Sequence, residues 1–399
     1  MKARLVSDLT TRRSNVVDFS LTPKDEYLVN IAREDAEIAR KYARYYDQHH
    51  EELEPVELPE AAGRPDPYAL LGADPSGTSG PIVTQALLQL EYPDVRLRRD
   101  SNRFLGTKII EYSGTPDQIE RFGDKLLSIA ISEPGAGSDP RAMVGNARYD
   151  EATDEWVLNG EKIYCSGFGE AAGAVVLLKG PPDERGVRPF CSFVVEKGMA
   201  GLQPLGQVDK MGMRAWDTAD FVLQDCRVPA RNKLDADFKR TMTVFNGSRA
   251  MVAAFGLKTA RNMLDVLAEH LRRTDQAPDY ARGRHARSAA QDRLIALEAL
   301  HDATELSILH AKWSEQTNGV SDERTMIDAS MAKALGGLAT RRITQECMEL
   351  LGPLALTEEH LAEKWFRDAR IFDIFEGAGE INRLIIARWL LGYSSKELN

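Results

Sequence analysis

LLSIAISEPGAGSD, residues 126–139, is where the chain changes character. Upstream of it the apolar residues follow a helical spacing. Here they close into a short run that ends in a Pro-Gly-Ala-Gly-Ser loop. From about residue 128 to 235 apolar residues come as short runs or alternation, in EWVLNG, KIYCS, AVVLLKG, FCSFVVEKG and TADFVLQDCRVP. Turn-forming stretches such as ATDEW, GPPDERGVRP and KGMAG separate them, which predicts a β-domain of six or more short strands. The loop at 132–139 exposes backbone N–H groups and two hydroxyls, Ser132 and Ser138, suited to an anion or a flat polar ring. The plainer reading is a β-turn closing a hairpin.

On either side the helical period takes over. Residues 1–18 read as a polar, mobile arm. FSLTPKDEYLVNIAREDAEIARKYARYYDQ follows as a helix with Thr22 as N-cap and Pro23 at its first position. Residues 51–80 read as a long Pro-, Gly- and acid-rich loop, and pieces around 81–93 and 104–127 as helices. After about 237 helices return, clearest in TMTVFNGSRAMVAAFGLKTARNMLDVLAEHLRR, with the basic loop DYARGRHARS between them. The predicted division is a helical domain at 1–127, a β-domain at 128–236 and a helical bundle at 237–399. Near the end, IFDIFEGAGEINRLIIARWLL (371–391) reads as a β-rich run, IFDIF, a tight Glu376-Gly377-Ala378-Gly379 loop, and a helix with Gly392 as C-cap. Glu376 then stands where another molecule can approach the backbone, or simply where a helix dipole favours an acid.

Composition narrows the function. With 399 residues, 43% hydrophobic and 28% charged, the chain has the profile of a globular protein of two or three domains. A net charge of −10 argues against a nucleic-acid partner. No apolar run approaches a membrane span, and the N-terminus carries no signal-like apolar core. Cys165, Cys191, Cys226 and Cys347 are scattered and the seven histidines show no ligand spacing. Reduced thiols in a cytoplasmic protein are expected, and no metal.

Three further stretches have competing readings. GFGEAAG (167–173) has the look of a dinucleotide-binding glycine fingerprint, but a strand follows it where a helix is required, so it reads as a hairpin turn. Lys210, Arg214 and Asp217 in VDKMGMRAWD read as the solvated face of an edge strand. Arg249 in FNGSR, on an otherwise small and apolar helix face, reads as salt-bridged structure.

Taken together, the stretches resemble the acyl-CoA dehydrogenase family of flavoproteins over nearly the whole chain. FSLTPKDEYLVNIAR resembles the family's first helix, ISEPGAGSD its (T/S)EP-x-AGSD loop, and NGEKIYCSG its NG-x-K-x-W-I-(T/S)-N strand. KMGMRAWDTADFVLQDCRVP resembles K-x-G-x-R…T…F-x-(D/N)-x-x-VP, and RDARIFDIFEGAGEINRLIIAR the terminal RDA-x-I…EGT-x-E-I-x-R-x-x-I-A-R. Any one is weak; five in register are specific. The implied fold is α+β, with an N-terminal helical domain, a middle β-domain and a C-terminal four-helix bundle.

The resemblance implies FAD, an acyl-CoA thioester substrate, and α,β-dehydrogenation with Glu376 as the α-proton base. Ser248 holds the position where other branches carry the base, which favours Glu376. FAD contacts are implied for Ile129, Ile131, Ser132, Gly137, Ser138, Tyr164, Ser166, Arg272, Thr274, Gln291, Glu349, Gly352, Ala378 and Glu380. Substrate contacts are implied for Ser138, Asn246, Arg249, Gly377 and Arg388. An electron-transfer flavoprotein is the implied electron acceptor, and a homo-oligomer, tetramer or dimer, the implied assembly. Departures from the pattern concentrate on the FAD diphosphate and adenosine side. Thr274-Asp275 follows Arg272-Arg273 where Phe and Gly are usual, and Pro353, which has no N–H to give, replaces a glycine after Gly352. Arg272, Arg273, Arg282, Arg284 and Arg287 could compensate there. Tyr164 replaces a Trp and Ala378 a Thr. The unusual region before ISEPGAGSD points to a branched, alicyclic or aromatic acyl group. The alternatives are a reductase, decarboxylating or desulfinating enzyme on the same scaffold, or a partial-site subunit of a hetero-oligomer.

Overall fold

The structure is a computed structural model and describes residues 19–50, 64–65, 67, 70, 80–91, 105–235, 238–279 and 281–393. The expected arm at 1–18 and nearly all of the 51–80 loop lie outside the described residues. Among the described residues, four helices come first: α1 (Pro23–Gln48), α2 (Gly80–Leu90), α3 (Leu105–Ser113) and α4 (Pro116–Phe122). Thr22 caps α1 reciprocally with Asp25, its hydroxyl accepting from the Asp25 N–H while the Asp25 carboxylate accepts from the Thr22 N–H. Both capping groups and the Pro at the first helical position are legible in TPKD.

Eight strands follow: β1 (Leu127–Ala130), β2 (Asn146–Asp150), β3 (Glu155–Ser166), β4 (Gly173–Lys179), β5 (Phe190–Glu196), β6 (Leu202–Gln207), β7 (Thr218–Pro229) and β8 (Lys233–Leu234). They form one sheet in the order β6-β7-β3-β2-β4-β5-β8, with β1 parallel to β4. The 167–172 turn joins β3 to β4, but β2 lies between those strands, so it does not close a hairpin. The ISEPGAGSD loop closes no hairpin either: it follows β1, and its own tight turn is pinned by a Glu133–Ala136 bridge. Lys210, Arg214 and Asp217 are not on an edge strand. They belong to the loop before β7, an internal strand, and Asp217 is buried. Inward-facing Leu158, Phe168, Val176, Phe193, Phe221 and Val228 form the core of this sheet.

The rest is helical: α5 (Phe238–Arg273), α6 (Ala289–Asn318), α7 (Glu323–Leu351), α8 (Ala362–Asp368) and α9 (Gly379–Leu391). α5, α6 and α7 pack on one another through two apolar clusters, one around Leu257 and Ile308 and one around Leu264, Leu297 and Ile343. The IFDIF run is not a strand: Ile371–Asp373 is a turn of 3-10 helix. Two glycines explain it. A Cβ on Gly256 of α5 would lie 3.0 Å from the Phe372 ring, and one on Gly337 of α7 would lie 2.8 Å from the Asp373 Cα. The bare helix surfaces admit Phe372, which is 1% exposed, and burying that ring outweighs the β-propensity of the run.

One ion pair ties the sheet to the loop after β1. The Lys162 ammonium, on β3, donates to Glu133 at 2.7 Å and to the Ile131 carbonyl at 3.0 Å. The Glu133 carboxylate also accepts from the N–H groups of Val144 and Gly145. Both side chains are buried, so removing one partner strands the other charge. Glu133→Gln or Lys162→Met should each lower unfolding free energy by about 3–5 kcal/mol in a urea titration. The double variant should cost less than the sum of the two.

Candidate active site

Glu376 owes its place to the backbone on both sides of it. It adopts φ 54° and Gly377 φ 91°, two consecutive left-handed residues that reverse the chain between the buried Phe372 turn and α9. A non-glycine residue there costs about 1–3 kcal/mol. Asn382, fully buried one turn into α9, holds the reversal: its side-chain amide donates to the Gly377 carbonyl at 2.7 Å and to the Ala378 carbonyl at 3.3 Å. The α9 helix ends on Gly392 in the left-handed conformation that its C-cap requires.

The carboxyl of Glu376 opens on a cavity of about 510 Å³. α5 supplies Ser248, Met251 and Phe255, α3 supplies Leu105 and Tyr112, β3 supplies Tyr164 and Ser166, and the loop before β7 supplies Met213 and Trp216. Lys312 and Glu315 of α6, paired at 2.6 Å, also border it. Burial pushes the Glu376 carboxyl above the ordinary carboxylate range, while the Ser248 hydroxyl and the Lys333 and Arg249 charges pull it down. Neither Glu376 Oε2 nor Ser248 Oγ completes a hydrogen bond among the described residues. A desolvated carboxylate with a free oxygen, facing an apolar space, is suited to taking a proton from a weakly acidic carbon.

Tyr164 sits at an irregularity in the β3–β7 register, with φ 56° and its N–H donated to Asp220 at 2.7 Å. Its ring is 63% exposed and turned to the cavity. Nearby, Ile129, Ile131 and Ser132 are half-buried along and just past β1, and Ser132 is fixed by its carbonyl accepting from Ile163. Gly137 and Ser138 are exposed at the loop tip, where a Cβ on Gly137 would meet nothing. Tyr164 and Ser166 thus share the Glu376 cavity, and β1 and its loop are tied to β3 beside them, Ser166 accepting from Ser128 and Ile163 donating to Ser132. An exposed aromatic face, open backbone and small residues fit a flat heterocycle such as that of FAD.

The other expected FAD residues are not brought to this cavity. Arg272 lies 24 residues beyond Ser248 on α5, about 36 Å along the helix. It pairs with Glu269; Thr274 donates to the His270 carbonyl; Gln291 caps α6 with Ser288; and Glu349 pairs with Arg293. Gly352 ends α7 with φ 59°, Ala378 stands at the N-cap of α9, and Glu380 is exposed beside Arg383. Of the expected substrate residues, Arg249 is buried and bonded to Ser330 at 3.3 Å, with no carboxylate in contact among the described residues, so it is not the salt-bridged arginine its isolation suggested. Asn246 supports a loop by donating to the Val320 carbonyl at 3.0 Å. Arg388 is half-buried on α9. Sequence reasoning passed over Asn382, which fills a variable position of the terminal motif, and Lys333, which stands in no motif.

Two family models match the chain, the acyl-CoA dehydrogenase middle domain over residues 128–226 and its C-terminal domain over 238–391. The chain belongs to the acyl-CoA dehydrogenase family. It is 33% identical over 275 residues to the short-chain specific acyl-CoA dehydrogenase of Rattus norvegicus, a match covering 67% of this chain and 64% of that protein. It is 27% identical to the acryloyl-CoA reductase (NADH) of Anaerotignum propionicum, over 94% of this chain and 96% of that one. Cyclohexane-1-carbonyl-CoA dehydrogenase of Syntrophus aciditrophicus is 29% identical over 73% of this chain and 76% of its own. Among solved structures, butyryl-CoA dehydrogenase of Megasphaera elsdenii superposes with a TM-score of 0.75 at 23% identity, covering 94% of this chain and 100% of its own. The shared fold is the helical–sheet–helical arrangement described above.

Burial gives this acyl-CoA dehydrogenase site a signature in stability. Lys333, on α7, is pushed down from the ordinary lysine value of 10.5 to about 8, chiefly by desolvation. Below pH 8 the folded and unfolded chains both carry the ammonium, and the fold bears the burial cost in full. Between pH 8 and 10.5 the folded chain sheds its proton first, so this contribution raises stability with pH. Lys333→Met should unfold at higher urea than the parent at pH 7, and should lack that rise.

Proposed function

We propose that the chain removes the α-proton and β-hydrogen of an acyl-CoA thioester, giving a 2-enoyl-CoA, with Glu376 as the base. The observation that carries this is the Glu376 carboxylate, buried and with a free oxygen at the wall of an apolar cavity. FAD, when bound, supplies the acceptor for the β-hydrogen as hydride. Tyr164, Ser166, Ser132 and the backbone of the 132–138 loop are the residues that would hold its ring system. Gly377 and the reversed backbone held by Asn382 would lie against the thioester. Ser248 and Arg249 orient and charge-balance the carboxyl, and Met251, Phe255 and Leu105 exclude water from the reacting carbons, which strengthens every charge interaction there.

Arg272, Thr274, Gln291, Glu349 and Gly352 are assigned to the diphosphate and adenosine side of an FAD in a neighbouring copy, in a homotetramer or dimer. Arg272 lies about 36 Å along α5 from Ser248, which borders the Glu376 cavity, and that separation suits contribution in trans. Glu380, Ala378, Ile129 and Ile131 complete the FAD set, while Ser138, Asn246 and Arg388 serve the CoA side. An electron-transfer flavoprotein takes the electrons onward, and a reduced, cytoplasmic setting suits four buried thiols. A branched, alicyclic or aromatic acyl group is the preferred substrate, a choice supported by the relative that acts on a cyclohexane-carbonyl thioester. One second reading has specific support: the near-full-length likeness to an acryloyl-CoA reductase favours the reverse, enoyl-reducing direction.

The test is the anaerobic visible spectrum of the purified protein, titrated with straight-chain, branched, alicyclic and aromatic acyl-CoAs. Loss of the oxidised-flavin band with one class, and appearance of its enoyl-CoA, is the expected result. Glu376→Gln should slow that loss by about 10²–10⁴-fold while leaving thioester binding intact. A flavin that stays oxidised with every saturated thioester but, once reduced, is reoxidised by an enoyl-CoA would establish the reductase reading instead.

A further inference from the structure

Four lysines are buried among the described residues, and three of them touch a carboxylate. Lys162 meets Glu133 at 2.7 Å, Lys312 meets Glu315 at 2.6 Å, and Lys364 meets Asp368 at 2.5 Å. Lys333 is the exception. It is 0% exposed, and its Nζ makes no hydrogen bond and no salt bridge among the described residues. A bare buried ammonium is a costly thing for a fold to keep when a methionine would fill the same volume.

Its surroundings give the reason. Asp373 and Glu376 from the turn before α9, and Glu380 from α9 itself, attract the ammonium, while Arg249 on α5 repels it. Asp373 Oδ1 and Glu376 Oε2 are buried and as unpartnered as Lys333 Nζ. Two cations therefore face three carboxylates between α5, α7 and α9, and Lys333 meets them by field and not by contact. Arg249 has one nitrogen bonded to Ser330. Lys333 has no such tie, so its charge is the one left wholly to that field.

Contact and field do different things to a base. A lysine hydrogen-bonded to Glu376 would occupy the lone pair that must receive the proton. A charge held a little way off favours the ionised carboxylate and leaves both oxygens open. We propose that Lys333 is a positioning residue for Glu376: its uncontacted ammonium favours the ionised form of the buried carboxylate and leaves Oε2 free. The proposal rests on the reading of Glu376 as the base for its catalytic meaning, but the coupling between the two groups is measurable without any substrate. It is also reciprocal, since the two groups share one interaction energy.

The experiment is a pH titration of the purified flavin-loaded protein by infrared difference spectroscopy. The protonated Glu376 carboxyl band is identified by its absence in Glu376→Gln. In Lys333→Met the midpoint of that band should move to higher pH by roughly half a unit or more, and Lys333→Arg should bring it back. A midpoint that stays in place in folded Lys333→Met protein overturns the proposal. So does a Lys333→Met protein that loses folding stability or flavin while Glu376 titrates as before, which would mark a structural lysine. If Lys333→Met does not fold, the reciprocal measurement decides. The ¹³Cε resonance of Lys333 should titrate at lower pH in Glu376→Gln than in the parent, and identical titrations overturn the proposal. If no thioester reduces the flavin but the Glu376 band moves as expected, the proposed reaction fails and the coupling stands.

Discussion

Everything at the site depends on burying one carboxylate oxygen, Glu376 Oε2, without giving it a hydrogen bond. Desolvation drives Glu376 toward its neutral form, and a protein that only sought stability would answer with a contact, as it does for Glu133 and Lys162. Here the surrounding charges stand off, and the carboxyl is held by backbone: a left-handed residue, a left-handed glycine and the Asn382 amide behind them. The strain and the unpaired charges are local costs. The sheet core and the α5–α7 bundle supply the stability that lets them persist.

The fold also separates the labours of the two halves. Helices α5, α7 and α9 build the side around the Glu376 carboxyl, where side-chain charge matters. The sheet and its β1 loop build the other side, where backbone groups and the Tyr164 face are on offer. Glu133 and Lys162 lock that loop to the sheet from beneath, so residues 134–139 can be small and open without being slack. The meeting of the two halves creates the cavity, and neither half encloses it alone.

Much of this was legible in the sequence, for reasons specific to each part. The strands announced themselves by alternation where one face is buried, as in β7, and by unbroken apolar runs where both are, as in β4 and β5. Thr22-Pro23 and Gly392 announced helix ends because caps are local chemistry. Glu376 was found through the motif around it and not through periodicity, which misread IFDIF: the burial of Phe372 is decided by Gly256 and Gly337, far away in sequence. GFGEAAG does run into a strand, as expected, but it closes no hairpin, because strand order is a tertiary fact. Lys333 was invisible, since a lysine in an alanine-rich helix reads as solvent-facing until the helix packing is known. Arg272, Thr274, Gln291 and Glu349 matched motifs, yet within one chain they serve their own neighbours.

The two glycines beneath the Glu376 turn have a consequence for how such a site can evolve. At Gly256 the α5 backbone meets the Phe372 side chain, and at Gly337 the α7 backbone meets the turn's own backbone, each with less than a methyl group of clearance. The reach of Glu376 into the cavity is therefore gauged by the separation of α5 and α7, as a tool is set by the shim under it. A lineage can enlarge or narrow the cavity by exchanging Leu105, Met251 or Phe255, and the acid keeps its height. A side chain at either glycine would lift the acid itself. Substrate range is thus free to drift while the reacting geometry is not, a division of tolerance set by two missing β-carbons.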